Sequence, residues 1–396
     1  MSEENDGSHI LRPAGGARPA SSALCPDRPP FQGRQKAGPT DARRHNRALI
    51  LQNLYPRRRL SRADLARATA LTRVTVSEVV ADLIREGLVL EVGQTRDARP
   101  GKPATLLRLD AESRNVVAVD LSQPAALRGA LTNLLGQIVF RDEVPYDVSE
   151  QRLDPAVVVG LCRRLVARAG APVLGIGIAS PGIVDRSGQV LAAPNLGWTE
   201  VPLALLVRRE TEVETRVDND ANSAALAERQ FGEGAANMLF IHIARGLGSG
   251  VLVDDRLVLG AACAAGEIGH VVVDPGGAPC SCGKRGCLET KIAVPVLQEA
   301  LRRDPDRLDE VLTTAGGTLG SALSMPIGML DIPEVVLYGP ASVVNETFVR
   351  ATEAALNART AASFRTPVTV RRSHLGDDIV LVGAGAAVVR AAIAAV

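Results

Sequence analysis

The sequence predicts an α/β protein in which a small helical head precedes a larger body. Two observations carry that prediction. Between residues 43 and 110, three helical patterns with capping residues lead into two short apolar runs around a basic loop. From Asn115 onward, strand patterns alternate with helical ones to the end of the chain, an order that favours a mixed sheet with helices packed on it in each half of the body. A third observation sets the chemistry: one histidine and three cysteines fall within eighteen residues near position 280.

Composition bounds the reading. A chain of 396 residues suffices for two or three domains, and 46% apolar residues is ordinary for a globular protein. No apolar run reaches the roughly 18 uncharged residues that a membrane span needs. The start, Met1 to Asp6, lacks a charged-then-apolar signal pattern, so a cytoplasmic location is expected. Six cysteines in a chain of this length do not make a disulfide framework, and Cys25, Cys162 and Cys263 are expected as free thiols. The net charge of +1 hides an asymmetry. Residues 43–108 hold fourteen Lys or Arg against six Asp or Glu, while 109–396 are net acidic. A basic module on an acidic body points to a polyanion at one end.

Residues 1–42 are rich in Pro, Gly, Ser and Arg without periodicity, and are expected to be a disordered tail. Residues 43–110 are expected to form one domain. Asn46–Leu54 carry helical spacing up to Pro56. Ser61 and Asp64 form a capping box for a second helix. Thr72 caps a third, whose Val76, Val79, Val80 and Leu83 can face the other two. That spacing leaves Arg73, Thr75 and Ser77 facing outward. Two strands, Leu88–Val92 and Ala104–Leu109, then flank a loop with Arg96, Arg99 and Lys102. This is the order of a winged helix-turn-helix, whose third helix enters the DNA major groove. Arg73 suits guanine, Thr75 and Ser77 suit bases or phosphates, and the basic loop suits the backbone or minor groove. A protein-binding three-helix module is the competing reading, and the charge favours DNA.

In the body, Asn115–Leu121, Leu127–Leu134 and Gln137–Val144 read as a meander, followed by a helix near Asp154–Ala169 and a strand at Val173–Ala179. Further strands are expected near Met238–Ile243, Gly250–Val253 and Val335–Leu337. His270, Cys280, Cys282 and Cys287 combine imidazole with thiolates, which suits Zn²⁺. Four such ligands close a tetrahedral shell, so the metal is expected to be structural. A redox pair or a set of buried thiols is the alternative.

Gly266-Glu267-Ile268-Gly269-His270 and Cys280-Ser281-Cys282-Gly283-Lys284-Arg285-Gly286-Cys287-Leu288-Glu289 together resemble the signature of the ROK family of sugar kinases and transcriptional repressors. The head, with Thr72-Arg73-Val74-Thr75-Val76-Ser77 and the run from Arg99 to Leu107, is similar to the N-terminal module of ROK repressors. The resemblance implies that residues 111–396 form a two-lobed, actin-like ROK sugar-kinase domain. It implies sugar contacts from Asn195, Asn219, Asp220, Glu267, His270 and Glu289, with Asp220 at the position of the kinases' general base. One ring nitrogen of His270 would serve the metal and the other the sugar.

The same resemblance argues against phosphoryl transfer. The family's first phosphate loop reads Asp-x-Gly-Gly-Thr, and here Asp120-Leu121-Ser122-Gln123-Pro124 stands in its place. Both glycines are gone, and Pro124 has no N–H to offer. The second loop reads Ala244-Arg245-Gly246, where the family has Gly-Thr-Gly, and a further Gly-Gly reads Gly339-Pro340. Losing one donor to developing charge costs on the order of 3 kcal/mol of barrier. The expectation is therefore a DNA-binding regulator, a repressor by type, with a non-catalytic body that binds a sugar or sugar derivative. Paired half-sites imply a homodimer or homotetramer on operator DNA. An active ATP-dependent sugar kinase with a DNA-binding head is the alternative, and a body signalled by a protein partner is a third.

Overall fold

The computed structural model describes residues 39–56, 58–94, 104–124, 126–146 and 152–395. The basic loop with Arg96, Arg99 and Lys102 lies outside the described residues, as does most of the N-terminal tail.

The first helix, α1 (Pro39–Leu54), begins four residues ahead of the expected domain boundary at residue 43. Pro39 suits a first turn, because its φ is already helical and that turn's N–H groups have no intrahelical partner. Residues 39–42, expected as tail, therefore belong to the helix. A short strand β1 (Leu60–Ser61) follows, then α2 (Arg62–Thr69). The expected capping box is present: the Asp64 N–H donates to Ser61 Oγ at 3.2 Å, and the Ser61 N–H donates to Asp64 Oδ2 at 2.9 Å. Helix α3 (Arg73–Arg85) buries Val76, Val79, Val80 and Leu83, as its spacing requires. Strands β2 (Val89–Gln94) and β3 (Thr105–Leu109) pair antiparallel, and β1 adds to the outer side of β3. The result is a winged helix-turn-helix.

The first lobe contains β4 (Asn115–Asp120), β5 (Ala126–Asn133), β6 (Ile138–Pro145), α4 (Pro155–Arg168) and β7 (Val173–Ser180). A side sheet of β8 (Ile183–Val184), β9 (Val190–Ala193) and β10 (Trp198–Val201) follows, then α5 (Leu203–Thr211), β11 (Thr215–Asn219) and α6 (Asp220–Phe231). The second lobe contains β12 (Met238–Ile243), β13 (Leu247–Val253), β14 (Arg256–Leu257), α7 (Glu289–Ile292), α8 (Val294–Arg303) and α9 (Leu308–Leu330). It closes with β15 (Glu334–Tyr338), α10 (Glu346–Thr360) and β16 (Thr369–Arg372). The chain then crosses back as α11 (Ile379–Ala395).

The two main sheets run β6-β5-β4-β7-β11 and β14-β13-β12-β15-β16. Each is an antiparallel meander extended by two parallel strands, so the lobes repeat one topology. Every residue of β4 and of β12 is buried, which explains why both lack a polar face. This is the two-lobed α/β body expected from the sequence.

Helix α11 packs on α6, β4 and β7. The approach to α6 is so close that a Cβ at Gly383 would lie 1.8 Å from the Ser223 carbonyl oxygen. Alanines of α6 pack with Ile379, Val380 and Leu381 of α11 and with Phe240 and Val336 of the second lobe in one cluster. The head does not hang free. Ile50, Leu51, Leu54 and Tyr55 of α1 and the turn after it share a continuous apolar cluster with Val388, Val389 and Ile393 of α11 and with Phe231 at the end of α6.

Candidate functional site

The metal-ligating residues come together through local turns. Past β14, one 3₁₀ turn, Ile268–His270, interrupts a long irregular segment. Gly286 has φ +67, and a Cβ there would fall 1.5 Å from the Asp274 carbonyl oxygen, so only glycine lets the loop fold back. The Cys280 N–H donates to the Lys284 carbonyl at 2.8 Å, and Lys284 Nζ donates to the His270 carbonyl at 2.7 Å. One ligand atom each from His270, Cys280, Cys282 and Cys287 lies within 4.8 Å of the others. Cys282 and Cys287 bring their sulfurs to 3.6 Å, and Cys280 Sγ lies 3.5 Å from His270 Nδ1. Three thiols and an imidazole at this separation fit a metal ion. Burial and the Glu289 carboxylate, 2.9 Å away, push the Cys280 thiol up to about 12, which a bound dication would reverse by displacing the proton.

The histidine faces two ways. Its Nδ1 looks toward Cys280, while Nε2 lies 3.9 Å from Glu267 Oε2 on the other side. Glu289 reaches the ring from the metal side, with Oε1 at 3.5 Å from Nδ1. Glu267, His270 and Glu289 are therefore one constellation, and Asp220 lies within its electrostatic reach. Burial, with repulsion from Asp120 and Glu267, raises Asp220 to about 7. Burial also raises Glu267, and Glu289 adds to that shift.

Asn219 and Asp220 divide labour at the start of α6. Asn219 is the cap: its Oδ1 accepts from the Asn222 N–H at 3.1 Å, and its Nδ2 donates to the Gly182 carbonyl at 2.9 Å. Asp218 and Asp220, on either side of it, do not take that role. Asp220 occupies the first helical position, with Oδ1 accepting from the Ala221 N–H at 2.8 Å. Asn195 is exposed on the 3₁₀ turn Pro194–Leu196, beside the side sheet.

At the position of the family's first phosphate loop, Asp120 ties the chain into a local turn. Its Oδ1 accepts from the Ser122 N–H at 2.8 Å and from Ser122 Oγ at 2.6 Å, while Oδ2 accepts from Gln123 Nε2 at 3.1 Å. The Ser122 and Gln123 donors of this turn are thus engaged by the protein's own carboxylate. The second loop is the tip of the β12–β13 hairpin, closed by the Ala244 N–H on the Gly246 carbonyl at 3.0 Å, with Arg245 exposed.

On the head, Arg73 and Ser77 of α3 are exposed, and Arg73 makes no ion pair among the described residues. Thr75 departs from the expected outward position. It is half-buried, with its N–H at 3.1 Å and its Oγ1 at 2.9 Å from Thr72 Oγ1, so the cap holds it. The outward face contains Val74, Glu78 and Ala81 instead, none of them expected there from the sequence. The available signal was that Val74 stands out of phase with the apolar stripe of α3. Most head acids are occupied within the head: Asp82 pairs with Arg43 and Arg85, Glu86 with Arg47, Asp64 with Arg67 and Glu91 with Arg62.

A winged helix-turn-helix fused to a two-lobed α/β body with a His/Cys cluster defines a transcriptional regulator built on a kinase-like frame. Residues 117–391 match the model of the ROK family, and residues 59–89 match that of the bacterial regulatory proteins of the crp family. The chain is similar to the xylose repressor of Caldicellulosiruptor bescii, 28% identical over 87% of this chain and 95% of that one. It is also similar to the DNA-binding transcriptional dual regulator NagC of Escherichia coli, 25% identical over 84% of this chain and 89% of that one. A crystal structure of a ROK family transcriptional regulator, a homolog of the E. coli MLC protein, shares the fold with a TM-score of 0.75 at 21% identity, covering 89% of this chain and 97% of its own. The chain belongs to the ROK family, and its head places it among that family's transcriptional regulators. No helix among the described residues is long and apolar enough to cross a membrane.

Proposed function

We propose that this protein is a cytoplasmic, sugar-responsive repressor that binds operator DNA through residues 43–110 and senses a sugar through residues 111–396, without turning it over. One observation carries the proposal: the carboxylate and imidazole groups that would hold a sugar stand together, while Asp120 fills the neighbouring phosphate loop. Asp220, Glu267, His270 and Glu289 would bind the hydroxyls, with Asn195 and Asn219 at the edges of the pocket. Zn²⁺ on His270, Cys280, Cys282 and Cys287 would supply structural closure rather than catalysis, fixing the ring of His270 and the segment leading to Glu289. Because His270 would serve both sugar and metal, binding of one is coupled to binding of the other. Arg73, Ser77 and the loop with Arg96, Arg99 and Lys102 would contact DNA, and Thr75 would act through its cap.

Helix α6 supplies a route between the sites. Its first residue, Asp220, belongs to the pocket; its last, Phe231, meets Tyr55, just past α1, edge to face at 6.4 Å. Twelve helical residues span about 18 Å. Side chains in its last turns also bind the second lobe. Glu228 accepts from Arg371 Nη2 at 2.8 Å and Ser373 Oγ at 2.6 Å, and Arg229 pairs with Asp255 at 2.8 Å. A sugar that draws the lobes together moves α6 as a rod and re-seats Tyr55, and with it the head. The cavity of about 300 Å³ lined by Pro56, Arg58, Arg108 and Leu135 leaves room for that movement. Operator control then requires that the sugar bind the DNA-competent and released states unequally. A homodimer or homotetramer would pair the heads on two half-sites.

The test is operator affinity at one fixed salt concentration, measured on the zinc-loaded full chain with a panel including xylose, glucose and N-acetylglucosamine. The expected result is that one sugar class changes operator affinity and raises the melting temperature, with no ADP formed from ATP. ADP formation dependent on that sugar would restore the kinase reading. A panel with no melting shift and no effect on DNA would favour a protein signal instead.

A further inference from the structure

Helix α3 accounts for four of its apolar residues by burial, but not for Val74. Val76, Val79, Val80 and Leu83 face the head's core, whereas Val74 is 67% exposed. Among the described residues of the head, it is the one large apolar side chain so exposed. It lies in the first turn, on the same outward side as Arg73, Ser77, Glu78 and Ala81. A β-branched residue is a poorer helix former than the Ala, Arg or Glu that would serve an idle surface position. Its helical stretch is held in place from both sides: Thr72 caps the turn, and Thr75 is bound to that cap rather than turned outward. Val74 is therefore a stiff apolar knob presented at a fixed place.

In the helix-turn-helix geometry, the first turn of the recognition helix meets the base edges of the major groove. Those edges are hydrogen-bond donors and acceptors, with one apolar exception: the 5-methyl group of thymine. We infer that Val74 is a specificity-determining residue that reads a thymine through this methyl group, beside the polar contacts of Arg73 and Ser77. The inference rests on the DNA-binding reading of the head and adds to it which base is recognised and how. It also gives the exposed valine an apolar partner that is absent when the protein is off DNA.

The test uses the zinc-loaded full chain and sites selected by it from a random duplex pool. Each thymine of the selected site is replaced in turn by uracil, which keeps every hydrogen-bonding group and removes only the methyl. The expected result is one position per half-site at which uracil weakens binding about fourfold, the scale of one buried methyl. At that position, Val74→Ala should bind thymine and uracil duplexes equally, and Val74→Thr, which keeps a γ-methyl, should retain the discrimination. The uracil comparison on the unaltered protein needs no variant. Specific binding with no uracil-sensitive position, or sensitivity that persists in Val74→Ala, overturns the assignment and leaves the DNA-binding reading intact. Failure to enrich any duplex over the random pool overturns both.

Discussion

The packing of Tyr55 on Phe231 offers the sharpest test of how the pocket reaches the head. The rings meet at 6.4 Å with an interplanar angle of 81°. An edge-to-face pair contributes about 1 kcal/mol beyond the area it buries, roughly a fivefold change in an equilibrium constant. Phe231→Leu keeps an apolar side chain among Tyr55, Val388 and Leu135 while removing one of the two rings. Coupling between two sites on one protein commonly amounts to about 1–3 kcal/mol, so a change of this size is visible. The assay is fluorescence anisotropy of a labelled operator duplex, with and without the effective sugar, at fixed salt. The ratio of the two affinities should shrink about fivefold relative to the unaltered protein, while sugar affinity itself changes little. If the substitution lowers the melting temperature, so that the ring pair demonstrably mattered to packing, and yet leaves the affinity ratio unchanged, α6 is refuted as the route.

Three other perturbations follow from the geometry. Cys280→Ala should reduce bound zinc from one per chain to none by metal analysis, and weaken sugar binding by about 10–100-fold, because His270 and Glu289 lose their fixed positions. Asp220, raised by burial to about 7 from the ordinary 3.8, keeps a proton in the folded state that the unfolded state has already lost between those values. It therefore withdraws stability as the pH climbs through that window. Asp220→Asn should accordingly melt higher than the unaltered protein at pH 8, match it below pH 4, and bind no sugar at either. Glu228→Gln leaves Arg371 with Glu334 as its remaining carboxylate partner, at 2.7 Å. Breaking a buried pair from one side costs about 3–5 kcal/mol, and the surviving partner sets the expectation at the low end. Urea unfolding should show that loss, and adding Arg371→Met should deepen it, because Glu334 then loses its guanidinium partner.

What the chain itself determined is local. The capping box of Ser61 and Asp64, the apolar stripe of α3, and the strands Met238–Ile243 and Val173–Ser180 obey rules that act over a few residues. The metal cluster is equally legible, since His270, Cys280, Cys282 and Cys287 are joined by short turns that bring their ligand atoms within 4.8 Å. Tertiary structure decided the rest. It decided that Asn219 rather than Asp218 or Asp220 caps α6, because the Gly182 carbonyl awaits the other end of its amide. It turned Thr75 back to its cap and left Val74 to the solvent. It brought Phe231 against Tyr55, so that the helix beginning at Asp220 ends against the head. Juxtapositions of that kind depend on how distant segments stack, and no period or spacing within either segment encodes them.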